Sequence, residues 1–151
     1  MQPWELAARE AIRDLVARYN ALGDRGQWDA LIALFAHDGE IHVPELGRFR
    51  GHEALRGFFA DAASGGGDRA TPARIWHHTS TLVIDLEGQE SAQASCYYAV
   101  LAEGGLDHWG RYRDAYVRVG SAWLFARRNV TVDGQVPGGW AARNLATLAR
   151  N

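Results

Sequence analysis

Ile75-Trp76-His77-His78-Thr79-Ser80-Thr81-Leu82-Val83-Ile84-Asp85-Leu86 is the stretch that decides the fold. It is rich in β-branched residues and closes on Glu87-Gly88, a turn signal, so it reads as a strand. Side chains alternate along a strand, which puts His77, Thr79, Thr81 and Val83 on one face. His78, Ser80, Leu82 and Ile84 fall on the other. The adjacent histidines point apart and cannot chelate one metal side by side. An inward-facing histidine is a natural acid–base group near neutral pH. His77 is read as that group, and Asp24, far away in sequence, as the carboxylate that holds it.

The same period of two continues downstream. Residues 91–101 form a second strand with Cys96, Tyr98 and Val100 on one face. Residues 108–119 form a third, with His108, Tyr112, Asp114 and Tyr116 on one face, and residues 122–132 a fourth that opens on Trp123 and Phe125. Gly88, Gly104-Gly105 and Gly120 separate them at hairpin spacing. Asp133-Gly134 and Pro137-Gly138-Gly139 then break the pattern, and residues 140–151 read as a short helix.

Upstream the period is helical. Ala8, Ile12, Leu15, Val16, Tyr19 and Leu22 make one apolar stripe over residues 4–22, with Gly23 as the expected stop. Residues 25–35 read as a second, shorter helix. Glu40-Ile41-His42-Val43-Pro44 reads as a short strand that pairs with Gly47-Arg48-Phe49-Arg50-Gly51. Residues 52–62 read as a third helix with Leu55, Phe58 and Phe59 inward, and residues 64–68 as a flexible glycine loop. Helices followed by a meander of long antiparallel strands mean α+β. Three helices on one face of one curved sheet leave a cone whose mouth is lined by strand residues.

The chain has 151 residues, enough for one domain with a sizeable core, and neither repeat nor linker divides it. A formal net charge of -2 gives no pull toward nucleic acid or an anionic membrane. All 16 basic residues are arginine, which excludes lysine Schiff-base chemistry. No apolar run approaches the roughly 20 residues that span a bilayer, and the start lacks a signal-peptide pattern. The single Cys96 cannot form an internal disulfide and fits a reducing cytoplasm. It reads as a buried, inert thiol. There is no His-x-His, no His-Glu-x-x-His and no cysteine cluster, so neither metal nor cofactor is expected.

The order of Ala11-Ile12-Arg13-Asp14-Leu15, Asp24-x-x-x-Trp28-x-x-Leu31, Gly47-x-x-x-Gly51, the His77 strand and Gly110-Arg111-Tyr112-x-Asp114 resembles the SnoaL-like branch of the NTF2-like superfamily. The resemblance spans nearly the whole chain. It implies an NTF2-like cone, with three N-terminal helices packed on a curved, mostly antiparallel sheet that encloses a pocket. The branch includes polyketide cyclases, scytalone dehydratase, the dehydrochlorinase LinA and bile acid dehydratase. Dehydratase-type members carry an Asp–His dyad, and Asp24 and His77 fall on its two positions. The resemblance also implies that Tyr98, His108, Tyr112 and Arg128 line the pocket. Gly23 stands where scytalone dehydratase-like enzymes have a catalytic tyrosine. A hydroxyl donor would then have to come from Tyr98 or Tyr112.

Each of these residues has a plainer reading. Asp24-Arg25-Gly26-Gln27 is also a capping-box pattern ahead of a helix. His77 could be a satisfied core histidine, His108 a rim residue or a proton donor to a leaving hydroxyl, and Arg128 an ordinary ion-pair partner. Trp140 could be a lid or simple tail packing. The expected function is a cofactor-independent lyase or isomerase, of dehydratase or cyclase type, acting on a hydrophobic small molecule. The alternative is a non-catalytic binding or assembly module. A cytoplasmic homo-oligomer, dimer or trimer, is expected.

Overall fold

The structure, a computed structural model, describes residues 1–64 and 74–148. Beyond Ser64, the glycine loop expected at 64–68 lies outside the described residues.

Helix α1 (Pro3–Asp24) carries the expected stripe. Ala8, Ile12, Leu15, Val16 and Tyr19 are all buried. Proline at the first helical position presets the backbone angle, and the Glu5 carboxylate accepts the Gln2 backbone N–H at 2.6 Å. The expected stop at Gly23 is corrected. Gly26, at φ +67°, ends the helix instead, with Gln27 N–H donating to the Leu22 carbonyl at 3.0 Å and Gly26 N–H to the Gly23 carbonyl at 3.0 Å. These are the two bonds of a Schellman ending. Gly23 packs closely instead: a Cβ there would lie 3.3 Å from Leu31 Cδ1, which would have to give by a few tenths of an ångström. Gly26→Ala forces a left-handed backbone on an L side chain, so a loss of about 1–2 kcal/mol is expected as a lower urea midpoint.

The second helix is shorter than expected. Helix α2 covers Trp28–Ile32, because Phe35 already belongs to strand β1 (Phe35–Val43). Its N-cap residue is Gln27, so Asp24 is not the cap of this helix. Strand β2 (Gly47–Arg50) pairs with β1 as a hairpin, and helix α3 (His52–Ser64) buries Leu55 and Phe59 as expected. Then come β3 (Trp76–Glu87), β4 (Ser91–Ala102), β5 (Gly105–Val119), β6 (Ala122–Gln135) and helix α4 (Trp140–Leu148). Strand β6 continues through Asp133-Gly134, where the sequence pattern marks a break, with a register shift that leaves Asp133 as an extra residue.

The six strands form one curved sheet in the order β2-β1-β6-β5-β4-β3. Among the described residues, only the β1–β6 pair is parallel. Register shifts bend the strands, and each reverses which residues face inward. In β3 the shift lies between Ser80 and Val83, and Thr81 there has φ 55°. Inward-facing residues therefore run His77, Thr79, then Leu82, Ile84 and Leu86. The expected placing of Thr81 and Val83 with His77 is corrected by this bulge; Val83 is exposed and Ile84 is buried. Along β4 no such slip occurs over Ala92, Ala94, Cys96, Tyr98 and Val100, and all five are buried. Burial pushes the Cys96 thiol up to about 11, consistent with an inert side chain. Among the described residues, no helix is long and apolar enough to cross a membrane.

Candidate active site

The end of α1 and the start of β3 meet. Asp24 is the last residue of the helix, and its carboxylate turns to β3. Asp24 Oδ1 is 2.6 Å from His77 Nδ1, and Oδ2 accepts the His77 backbone N–H at 3.0 Å. A carboxylate at a helix C-terminus sits against the negative end of the dipole. The two bonds from His77 offset that cost and fix the ring. With Nδ1–H given to Asp24, Nε2 is the nitrogen left for chemistry.

His77 lines a cavity of about 180 Å³ between the helices and the sheet. Its walls are mainly apolar and aromatic, including Trp28, Leu31, Phe58, Phe59, Tyr98, Tyr112, Val130 and Trp140. No arginine or carboxylate lines it among the described residues. Tyr98 and Tyr112 stack on one another, with centroids 4.5 Å apart and planes at 18°. Both line the cavity. The Tyr98 hydroxyl donates to the Thr131 carbonyl at 3.0 Å, so it is already spent on the backbone.

His108 is the second cavity histidine. Its Nδ1 lies 2.8 Å from Asp107 Oδ2, and both residues are buried. Burial pushes the His108 imidazole below its ordinary range, against the pull of the Asp107 hydrogen bond and charge, which favour the imidazolium. Asp107 is also buried, which alone would raise it; donors from Ala141, His108 and Trp140 outweigh this and hold it below the usual carboxylate range. His108 is thus held toward the neutral form with Nδ1–H on Asp107, and its Nε2 acts as an acceptor.

The chain matches the model of the SnoaL-like domain over residues 4–129. It belongs to the SnoaL-like domain family. Its fold is shared with solved structures. An NTF2-like protein of cystatin-like fold from Novosphingobium aromaticivorans is 26% identical, with TM-score 0.72 over 91% of this chain and 89% of that one. A scytalone dehydratase candidate from the same organism is 24% identical, with TM-score 0.76 over 90% and 91%. A hexachlorocyclohexane dehydrochlorinase, LinA type 2, is 20% identical, with TM-score 0.76 over 89% and 93%. A search of curated proteins gives no match.

Within this SnoaL-like chain one expected site residue stands elsewhere. Arg128 does not line the cavity; it is fully buried beneath it. Its guanidinium forks onto Asp114, with Nε 2.9 Å from Oδ1 and Nη2 2.7 Å from Oδ2. It lies over the rings of Tyr19 and Tyr112, at 4.1 and 4.0 Å from their centroids. These tyrosines are the cavity floor, so the arginine is one layer too deep to meet a ligand. The ion-pair reading holds for Arg128.

Two residues were missed by reading the sequence. Asn20, one helical turn before Asp24, lines the cavity, is buried, and its Oδ1 has no hydrogen-bond partner. A buried amide oxygen without a partner costs about 1–3 kcal/mol, which a ligand donor would recover. The apolar stripe of α1 ends beside it, and polarity within that stripe is the signal that could have found it. Asp107 is the other. It precedes His108, so strict alternation would turn it outward. A register shift between Val100 and Leu101 makes Asp107 the extra residue of β5, and both side chains point inward.

The buried histidine of this SnoaL-like protein has a consequence for stability. The folded His108 binds its proton at lower pH than the unfolded chain does. The unfolded state therefore carries more protons between the folded value and the ordinary imidazole value of about 6.5. Stability is full above that value and is lost as pH falls through this window. The urea midpoint is expected to fall on acidification from about pH 7.5 to 5.5, and His108→Phe is expected to reduce the fall. Equal slopes in variant and wild type would remove His108 as the cause.

Proposed function

We propose that this protein is a cofactor-independent lyase or isomerase, of dehydratase or cyclase type, acting on a neutral hydrophobic small molecule. The observation that carries the reading is the Asp24–His77 contact of 2.6 Å at the wall of an apolar cavity. A carboxylate on Nδ1 fixes the tautomer and balances the imidazolium that forms when Nε2 takes a proton. The names of two structural neighbours, a scytalone dehydratase candidate and a dehydrochlorinase, point toward elimination.

The step closes without a cofactor. His77 Nε2 removes a proton from a carbon next to a carbonyl. The C–H electron pair becomes the new double bond, and the bond to the β-hydroxyl breaks. The imidazolium returns its proton to the departing oxygen, so water leaves and His77 is neutral again. His108 Nε2 accepts a hydrogen bond from the substrate hydroxyl and orients it, and Asn20 supplies a further polar contact. An apolar cavity of about 150 Å³ is enough for a benzene ring. One aromatic ring with its substituents suits the 180 Å³ space here.

The test is proton exchange in deuterium oxide. β-Hydroxy carbonyl compounds and aromatic polyols are incubated with the protein and followed by NMR. Deuterium entering next to the carbonyl, or loss of water, with wild type and not with His77→Ala supports the reading. Saturable binding of ring compounds with no exchange would make the protein a ligand-binding module instead.

A further inference from the structure

Asp107 joins two parts of the molecule that the reaction uses separately. Its Oδ1 accepts the backbone N–H of Trp140 at 2.5 Å, and its Oδ2 accepts the N–H of Ala141 at 3.0 Å and Nδ1–H of His108 at 2.8 Å. The first two bonds satisfy open donors at the start of α4. The third sets the His108 tautomer. The Trp140 ring stacks on His108, with centroids 5.9 Å apart and planes at 19°. Gly139 leaves no room for a side chain, since a Cβ there would fall 2.5 Å from Asp107 Oδ1. Trp140 and Leu145 of α4 form part of the cavity wall.

We propose that Asp107 is a positioning residue that couples the seating of α4 to the tautomer of His108. The cavity then presents an acceptor nitrogen to a substrate hydroxyl only when its C-terminal wall is in place. Three donors converge on two oxygens, so only a carboxylate serves; an amide would turn one oxygen into a competing donor. If α4 lifts, Asp107 opens to water and its hold on Nδ1–H is contested, while His108 loses the ring above it. His108 is then free to exchange tautomers, and Nε2 ceases to be a dedicated acceptor. The purpose of the coupling rests on the elimination proposed above, whereas its geometry does not.

The experiment is NMR of the whole protein, with ring-nitrogen spectra of the histidines and exchange rates of the Trp140 and Ala141 amides. Gly139→Ala presses on Asp107 and Val136 beside the helix start without touching His108. The expected result is at least about tenfold faster exchange at those amides together with a shift of the His108 nitrogens toward a mixed tautomer. Asp107→Asn, which keeps the shape of the side chain, is expected to move both readouts. A response at one end alone, in either variant, overturns the coupling, as does no response. The His77 ring signals are the internal control for folding and are expected to stay put in both variants. If wild-type His77 lacks the Nδ1–H signature, the Asp24–His77 reading fails and the test of Asp107 still stands.

Discussion

Asp24→Asn is expected to lower turnover by roughly 10³- to 10⁴-fold while the protein stays folded. Asp24 accepts on both oxygens, from the His77 backbone N–H at 3.0 Å and from Nδ1 at 2.6 Å. An asparagine keeps one oxygen. If that oxygen holds the backbone N–H, the amide NH₂ faces Nδ1 and donates to it. The ring must then carry its proton on Nε2, the nitrogen proposed to receive the substrate proton. If the amide turns round, the backbone N–H meets another donor and the start of β3 loses its anchor to α1. Either way the proposed base is disabled by a change of one atom. His77→Ala removes the proposed base itself and is expected to cost about 10²- to 10⁴-fold. The measurement is kcat/KM on whichever compound shows exchange in deuterium oxide, with a melting curve to show that both variants fold. Near-normal turnover in Asp24→Asn beside an inactive His77→Ala would reduce Asp24 to a structural tie between helix and strand.

The architecture was legible because most of the chain keeps one period at a time. The stripe from Ala8 to Tyr19 repeats at helical spacing, and the inward set of β4 alternates without a slip. Reading failed where one residue is inserted into a strand. Thr81 in β3 and Asp107 in β5 each reverse the inward and outward faces, and nothing local in composition announces them. The contact between Asp24 and His77 could be expected only through the order of elements shared with SnoaL-like proteins. On its own, Asp24 reads first as a helix cap, because the choice between Gly23 and Gly26 as the helix stop moves it from outside a helix to the end of one. Arg128 shows the limit of transferring a role by strand position. Its place on β6 puts it on the inner face, but Asp114 lies opposite it in the β5–β6 register and draws it into the layer below the cavity.

That buried pair is where single substitutions are expected to cost the most stability. Neither side chain of Arg128 and Asp114 has exposed surface, at 0% and 0%. The Tyr116 hydroxyl donates to Asp114 Oδ2 at 2.8 Å, and the guanidinium is within 4.5 Å of the Phe125 centroid as well as over the two tyrosines. Removing either partner strands the other charge in a buried aromatic box, a loss of about 3–5 kcal/mol. Arg128→Met and Asp114→Ala are each expected to lower the urea midpoint by that equivalent. The double variant is expected to lose much less than the sum, because no unpaired charge is left behind. Arg128 Nη1 already lacks a hydrogen-bond partner, so the pair is not an ideal one, and replacing it whole forfeits less than its geometry suggests. Single losses that simply add would mean that water reaches the site and screens the lone charge. The cavity floor would feel such water first, since Tyr19 and Tyr112 separate the guanidinium from the space that His77 faces.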